Sequence, residues 1–337
     1  MAETEREMDE RARELKGLPP AAEPLVEREL EGEEVAAGGP PDHGPEREFT
    51  VATKTQFQLV LRRFLAHRLA VASLVVFLLV VLVSLIGGRL WHYNYEDITP
   101  QFSTAPNGQH PMGTDGLGHD GLAQVLRGSQ KSVQVALLVA FLSTTAGTLI
   151  GAVAGYYRGV VDAILMRFTD LILTLPAIAI LIVLAVNLVR GGGSWLVVAI
   201  VLAALGWTSI ARVVRGVFLS LREKEYVEAA RALGASDWRI IYRHLLPNAT
   251  GAIIVNATIT VAVAILSETA LSYIGVGIQS PDVSLGSLIS DGQQAATTRP
   301  WLFYFPGLII IIIALTINFI GDGMRDAFDP AQKRVRA

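Results

Sequence analysis

The chain has no cysteine among its 337 residues and few charged ones, which make up 18% of the total. Without thiols, disulfide frameworks, thiolate metal sites and cysteine nucleophiles are excluded. The sequence also has no G-x-x-x-x-G-K-[S/T] loop to cradle a nucleotide phosphate, and no H-E-x-x-H or G-x-S-x-G motif. These absences argue against a membrane enzyme, and they place any ATP hydrolysis that serves this chain on other chains.

Hydrophobic residues are abundant, at 51%, and they are gathered into long continuous runs. About twenty helical residues span the ~30 Å of hydrocarbon in a bilayer. The apolar–polar alternation of membrane β-barrel strands is absent from these runs. The sequence therefore predicts an all-α polytopic membrane protein with about six transmembrane helices. The runs cover residues 69–88, 133–157, 163–189, 195–211, 250–278 and 301–321.

The first fifty residues differ in composition from the rest. They hold 15 of the 31 acidic residues but only 6 of the 28 basic ones. Such a segment buries too little apolar surface to fold alone, and it lacks the basic and apolar regions of a secretory signal. We predict that residues 1–53 form an acidic, disordered tail and that residues 54–337 form the membrane domain. A short charged helix that docks on a partner is the alternative for the tail.

Lysine and arginine are unevenly distributed around the six runs. They are frequent before the first run, in the segment 212–249 and in the C-terminal tail, and sparse in 89–131, 190–194 and 279–300. Cationic loops tend to stay on the cytoplasmic side of a membrane. The sequence thus predicts a multi-pass protein of the cytoplasmic membrane with both termini and the segment 212–249 in the cytoplasm.

The segment 212–249 changes from apolar to amphipathic. One apolar group recurs at helical spacing, Gly234 follows it as a helix-ending residue, and a second short face precedes Pro247. The pattern predicts two short amphipathic helices joined at Gly234. They dock on a partner, lie in the lipid interface or pack on their own bundle. The two faces consist of Tyr226, Ala229, Ala230 and Leu233, and of Trp238, Ile241 and Leu245.

Five blocks of sequence, in order, resemble a known family. Part of the same segment is similar to the EAA motif of ABC importer permeases; the matching residues are Glu228, Ala229, Ala230, Gly234, Leu246 and Pro247. The surrounding sequence resembles the C subunit of dipeptide/oligopeptide/nickel permeases, and this likeness covers about 54–330. Its other blocks are HPMGTDGLGHD (110–120), YYRGVVDAILMRFTDLILTLPAI (156–178), ETALSYIGVGIQSP (268–281) and GDGMRDAFDP (321–330).

The resemblance implies a type I ABC importer permease fold, in which the EAA loop is a coupling helix seated in a cytoplasmic ATPase. The implied partners are a sister permease in a heterodimer, two cytoplasmic ATPase domains that bind ATP and Mg²⁺, an extracytoplasmic substrate-binding protein and the lipid bilayer, with no nucleic acid. The implied function is ATP-driven import of di- or oligopeptides. Nickel or another small solute is the alternative within the family, and an ATP-independent channel or secondary carrier is the alternative outside it.

Polar residues in the fifth run need a separate explanation, because each is unfavourable in hydrocarbon. Asn256, Thr260 and Ser267 are spaced for one stripe of a helix, and Glu268 follows them. The stripe and Glu268 are predicted to line the translocation path or a gate. Hydrogen bonding between helices is the alternative.

The third run carries a candidate ion pair and a candidate kink. Arg167 and Asp170 are three residues apart, so we predict that they pair at the cytoplasmic end of the helix, as an anchor or as a gate. Pro176 is predicted to bend the same helix. Neither feature indicates catalysis.

The glycine-rich segment before the second run contains the side chains that would suggest a metal centre. They are His110, Asp115, His119 and Asp120. Isolated His and Asp residues among glycines are commonly turn formers, so no metal site is predicted. His119 also stands where the resembled family has arginine, and the family's contact at that position is therefore not carried over.

Overall fold

The structure, a computed structural model, describes residues 56–189 and 194–329. The predicted acidic tail, residues 1–53, lies outside the described residues. Within the described ranges the secondary structure is helical, with only isolated β-bridges besides. The longer helices are α1 (Gln56–Ala66), α2 (Arg68–Leu90), α3 (Gly121–Tyr157), α4 (Gly159–Thr174), α5 (Ala177–Val189), α6 (Trp195–Arg222), α7 (Glu225–Ala232), α8 (Leu246–Tyr273), α9 (Leu285–Gln293) and α10 (Trp301–Phe328).

Five of these helices are long and apolar enough to cross a membrane. They are α2, α3, α6, α8 with the turn before it, and α10. A sixth crossing results if α4 and α5 are counted as one span, although the two are bent by 85°. The prediction of an all-α polytopic fold is therefore confirmed.

The bend between α4 and α5 lies at Pro176, as the sequence predicts. Leu175 adopts extended backbone, with φ −83° and ψ 141°. A residue before proline is pushed out of the helical region by contact with the proline ring, so α4 ends at Thr174. The third apolar run is thus two helices rather than one.

Helix α3 is central to the bundle, because it packs against α2, α6, α8 and α9. Its closest neighbour is α6, which it meets along three glycines spaced four residues apart. A Cβ atom would lie 2.7 Å from the Trp207 carbonyl at Gly147, 2.5 Å from the Ala211 carbonyl at Gly151, and 2.7 Å from Phe218 Cβ at Gly155. Small residues in such a stripe let two membrane helices approach closely.

Several helices are longer than the apolar runs that predicted them, and α3 and α6 are extended the most. Helix α3 begins at Gly121, where the Asp120 carboxylate accepts a hydrogen bond from the Ala123 amide and caps the first turn. Helix α6 continues to Arg222, so Arg212 and Arg215 belong to a helix and not to a loop. Their long side chains reach acidic partners on α4. This pairing allows charged residues to lie in the continuation of an apolar helix.

Candidate functional site

The segment between α6 and α8, together with the first two residues of α8 (residues 223–247), forms a small folded unit that we call the docking loop. Helix α7 begins at Glu225 and holds two acidic residues, Glu225 and Glu228, in its first turn. Negative charge there is favourable, because the helix dipole is positive at its N-terminus. The buried side of α7 is occupied by Val227, which is fully buried against Phe218 and Ile240 in one apolar cluster.

Gly234 ends α7 as predicted. Its φ of +80° is the left-handed conformation that glycine adopts without strain. The Gly234 amide donates to the Arg231 carbonyl at 3.0 Å, and the Ala235 amide donates to the Ala230 carbonyl at 3.1 Å. This pair of bonds is a Schellman motif, which satisfies the last carbonyls of the helix and turns the chain sharply.

The other side of the docking loop is apolar and exposed. Leu233 is 89% exposed and Trp238 is 63% exposed. The small side chains of Ala229 and, in part, Ala230 lie open on the same loop. Partial burial raises the pKa of the Tyr226 hydroxyl above its ordinary value, so that group stays neutral. An exposed apolar surface on a rigid, solvent-facing helix is typical of an interaction site.

Polar contacts attach the docking loop to the helices behind it. Tyr156, near the end of α3, donates its hydroxyl to the Asp237 carboxylate at 2.6 Å. Arg222 donates to the Tyr156 carbonyl, and Arg158 pairs with Glu223 at 2.5 Å. The docking loop is therefore fixed to the ends of both α3 and α6.

The second predicted short helix differs from the prediction. Ile241 and Leu245 are buried together, but Trp238 is exposed and does not share their face. The chain also does not stop at Pro247: a turn, Asp237–Arg239, and a π-helical turn, Ile240–Leu245, lead directly into α8. Pro247 therefore lies near the start of α8, directly after the π-helical turn, and does not end the helical segment.

The predicted pair of Arg167 and Asp170 is not formed. Asp170 instead accepts a hydrogen bond from Arg212 of α6 at 2.6 Å, and Arg167 lies exposed on the outer face of α4. A second link joins the same two helices, because Arg215 binds both oxygens of Asp162, at 2.5 and 2.6 Å. The acidic groups of α4 therefore hold α6 rather than their own helix.

The polar stripe of α8 divides into two environments. Asn256 and Thr260 are half-buried and donate to carbonyls of their own helix. Ser267 is also half-buried. Glu268 is fully buried, and its two oxygens accept hydrogen bonds from Ser132 and Ser272, each at 2.7 Å. Glu268 thus joins α3 to α8 within the core.

The His and Asp residues before α3 form two separate pairs. His110 Nδ1 lies 3.0 Å from an Asp120 oxygen, and His119 Nδ1 lies 2.8 Å from an Asp115 oxygen. Asp115 also accepts the Leu117 and His119 amides, as a turn-forming aspartate does. Within the described ranges, no three His, Asp or Glu side chains are grouped so as to hold a metal ion.

Comparison with known proteins agrees with this architecture. Residues 147–334 match the family described as binding-protein-dependent transport system inner membrane component. Residues 55–111 match the N-terminal transmembrane domain of oligopeptide transport permease C. Together the two matches cover the whole docking loop and the membrane helices except for most of α3, since residues 112–146 lie between them.

The chain matches curated relatives over most of its own length and most of theirs. The oligopeptide transport system permease protein OppC of Mycobacterium tuberculosis is 44% identical over 279 residues, which is 82% of this chain and 96% of that protein. The protein of the same name from Bacillus subtilis is 35% identical over 81% of this chain and 88% of its own. A solved structure of the MetNI methionine ABC transporter aligns with a TM-score of 0.51 and 20% identity, over 61% of this chain and 96% of that one. This last likeness concerns the fold alone.

Proposed function

Because the chain belongs to the family of binding-protein-dependent transport system inner membrane components, we propose that it is one permease subunit of an ATP-driven oligopeptide importer. The relatives that match over most of the chain are named as oligopeptide permeases. The subunit is a non-catalytic, multi-pass protein of the inner membrane. Its complete importer contains a sister permease, two ATPase domains that bind ATP and Mg²⁺, and an external substrate-binding protein.

The docking loop is the observation that supports ATP-driven transport most directly. Its outer surface is exposed and apolar around Leu233, while its inner surface is fixed by Val227 and by the bond from Tyr156 to Asp237. A loop that is exposed on its outer side and attached to the bundle on its inner side is suited to pass the motion of a partner on to the membrane helices. We propose that an ATPase seats against Ala229 and Ala230 and moves α3, α6 and α8 through this attachment.

The assignment as an importer subunit implies an orientation in the membrane and a position for the translocation path. The docking loop lies in the cytoplasm, which agrees with the excess of Lys and Arg in 212–249. The half-buried residues Asn256, Thr260 and Ser267 of α8 form part of the wall of the path. Glu268, which is held by two serine hydroxyls, fixes that wall to α3.

Reconstitution tests this function. The chain, its sister permease, the ATPases and the binding protein are placed in proteoliposomes, and uptake of a radiolabelled tripeptide is measured. We expect uptake only when ATP and the binding protein are both present, and none with a non-hydrolysable ATP analogue. Uptake driven by an ion gradient without ATP would show a secondary carrier instead.

A further inference from the structure

Helix α1 is attached to the bundle along one side. Val60 and Phe64, one turn apart, face α10. Phe64 is buried in one apolar cluster with Ala327, near the C-terminal end of that helix. Arg63 strengthens the attachment, because its guanidinium donates to the Ala327 carbonyl at 3.3 Å. The remaining sides of α1 are thus left for something other than α10.

Helix α1 lies at the same end of the bundle as the docking loop. Phe328, the last residue of α10, lies against Gly251 near the start of α8, where a Cβ atom would be 2.7 Å from the Phe328 ring. His67 joins α1 to α2, and its Nδ1 atom accepts the Ala70 amide and caps α2. Because α2 is a candidate membrane span, α1 lies where the hydrocarbon of a bilayer meets the headgroups.

An exposed row of leucines connects α1 with the exposed surface of α2. Leu61 and Leu65 are 45% and 57% exposed on successive turns of α1, and the exposed Leu69 follows at the start of α2. Of the five single-helix spans, α2 is the least covered by the bundle, with 17% of its most apolar window buried. An apolar helix that its own protein leaves uncovered is expected to face lipid. The leucines of α1 extend this lipid-facing surface to the end of the span.

A stripe suited to water runs beside these leucines. Gln58, Arg62 and Ala66 are exposed and spaced four residues apart, so they share one face of α1. A helix with an apolar strip and a neighbouring cationic strip is typical of the layer between acyl chains and headgroups.

The cations at this end of α2 have few acidic neighbours in the sequence. The segment 51–68 contains four Lys or Arg residues and no Asp or Glu. Arg62 and Arg68 are exposed, and neither forms an ion pair within the described ranges. Asp326 of α10 lies near His67 instead, at 3.6 Å. Cations grouped next to a membrane span attract anionic phospholipids.

We propose that α1 lies in the headgroup layer of the membrane and binds anionic phospholipid. Leu61 and Leu65 pack against the acyl chains. Arg62 and Arg68 bind the lipid phosphates, for which the planar guanidinium fork is well suited. A soluble phosphate would satisfy the arginines and leave the leucines exposed, whereas a lipid covers both. Bound lipid would hold α1 and, through Arg63, the C-terminal end of α10, whatever solute the protein transports.

The depth of α1 can be measured with single spin labels, because the chain has no cysteine. Leu65→Cys and Ala66→Cys are labelled separately in the assembled complex, whose other subunits are freed of reactive cysteines, in nanodiscs of phosphatidylcholine and phosphatidylglycerol. Oxygen concentrates among the acyl chains, and a nickel chelate stays in water. We expect the ratio of oxygen to nickel collisions to be several-fold higher at position 65 than at position 66. Equal access of nickel to both labels, or protection of position 65 from both reagents by a protein partner, would overturn the proposal.

The lipid preference is measured at the same place. A fluorophore on Leu65→Cys is quenched by traces of phosphatidylglycerol or phosphatidylcholine that carry a nitroxide on the acyl chain, in nanodiscs of phosphatidylcholine. Phosphatidylglycerol should quench at a several-fold lower mole fraction. Arg62→Gln and Arg68→Gln should each reduce this preference about fivefold, and Arg62→Lys should retain most of it because the charge remains.

Arg89→Gln is the matched control. Arg89 is exposed at the other end of α2, so its loss should leave the preference at position 65 unchanged. Equal quenching by both lipids in the parent protein, or an equal effect of Arg89→Gln and Arg62→Gln, would overturn the proposal. Loss of the preference on addition of inorganic phosphate at constant ionic strength would also overturn it, since a soluble anion would then be the ligand. None of these measurements requires transport, so they are independent of the importer assignment.

Discussion

Asp282 illustrates how single side chains hold the outer end of the bundle together. Its carboxylate lies 2.7 Å from Arg127 Nε and 2.7 Å from Lys131 Nζ, both on α3. Burial alone would raise the pKa of Asp282, but the hydrogen bonds and charges of Lys131 and Arg127 outweigh burial and hold that pKa below its ordinary value. The side chain of Lys131 is only 10% exposed, so it depends on this partner.

Asp282→Asn should therefore destabilise the protein. A carboxyl whose pKa is lower in the folded state stabilises that state above its unfolded pKa, about 3.9, and this stability is lost as pH falls through the folded pKa. We expect the variant to lose on the order of 2 kcal/mol at neutral pH, because Lys131 is left buried without its partner. The measurement is Tm in detergent. The gap between variant and wild type should shrink only below about pH 4, and an unchanged Tm at pH 7 would contradict the assignment.

Side-chain pairing is the aspect that the sequence predicted least well. The spacing of Arg167 and Asp170 is suitable for a pair on one helix, yet Asp170 binds Arg212 of α6. The spacing of residues along one helix does not show that α6 passes beside α4. The partner of Asp170, 42 positions away, could therefore not be predicted from it. For Glu268 the sequence left two roles open, and the hydrogen bond from Ser132 on α3 corresponds to the interhelical alternative.

At the scale of elements, the contact between α3 and α6 determines how the bundle is built. Gly147, Gly151 and Gly155 place the two backbones so close that a Cβ atom would overlap α6 at each position. The sequence signal of this close contact is a glycine at every fourth position of the second apolar run. The stripe indicates that another helix approaches closely, but it does not tell which one.

Gly151→Ala should weaken this contact, and Gly216→Ala on α6 is its matched control. The new Cβ at Gly151 would lie 2.5 Å from the Ala211 carbonyl, whereas nothing lies within 4 Å of a Cβ at Gly216. Because alanine is favoured over glycine in a helix by up to about 1 kcal/mol, the control should be neutral or stabilising. We expect Gly151→Ala to lower Tm relative to Gly216→Ala. Equal values for both variants would mean that the two helices are not in tight contact.

The positions where helices end were predictable, but the buried contacts that hold the helices in place were not. Pro176 and Gly234 end helices where the sequence places them, because the backbone restrictions of proline and glycine are local. Val227 was missed as the anchor of α7. Its burial depends on Phe218 and Ile240, which belong to other segments. Periodicity finds a face of a helix and does not tell which face the rest of the protein covers.

For the molecule as a whole, the long apolar runs predicted an all-α fold with about six spans. The docking segment was predicted from its helical periodicity and from its resemblance to the EAA motif. A cavity next to α9 could not be predicted in this way, because five separate segments contribute to its wall. Prediction from the sequence is limited here because burial and side-chain pairing depend on how the whole chain packs.

The orientation of the chain is a prediction that labelling can check. The native sequence has no cysteine, so Asn107→Cys and Ser236→Cys introduce unique thiols at exposed positions on opposite ends of the bundle. In intact cells, a membrane-impermeant maleimide should modify the first variant and leave the second unmodified until the membrane is opened. Labelling of both variants in intact cells would contradict a cytoplasmic docking loop.

The central claim is that the docking loop couples this subunit to an ATPase, and Ala229→Glu tests it most directly. Ala229 is exposed on α7, so the substitution leaves the fold intact while placing a charge and a larger side chain on the apolar surface. Ala105→Glu, at an exposed position on the opposite end, is the control. The measurement is the amount of ATPase that copurifies with the permease pair from membranes. We predict a loss of about tenfold or more for Ala229→Glu and none for Ala105→Glu, whereas full copurification and normal peptide-stimulated hydrolysis in Ala229→Glu would contradict the account.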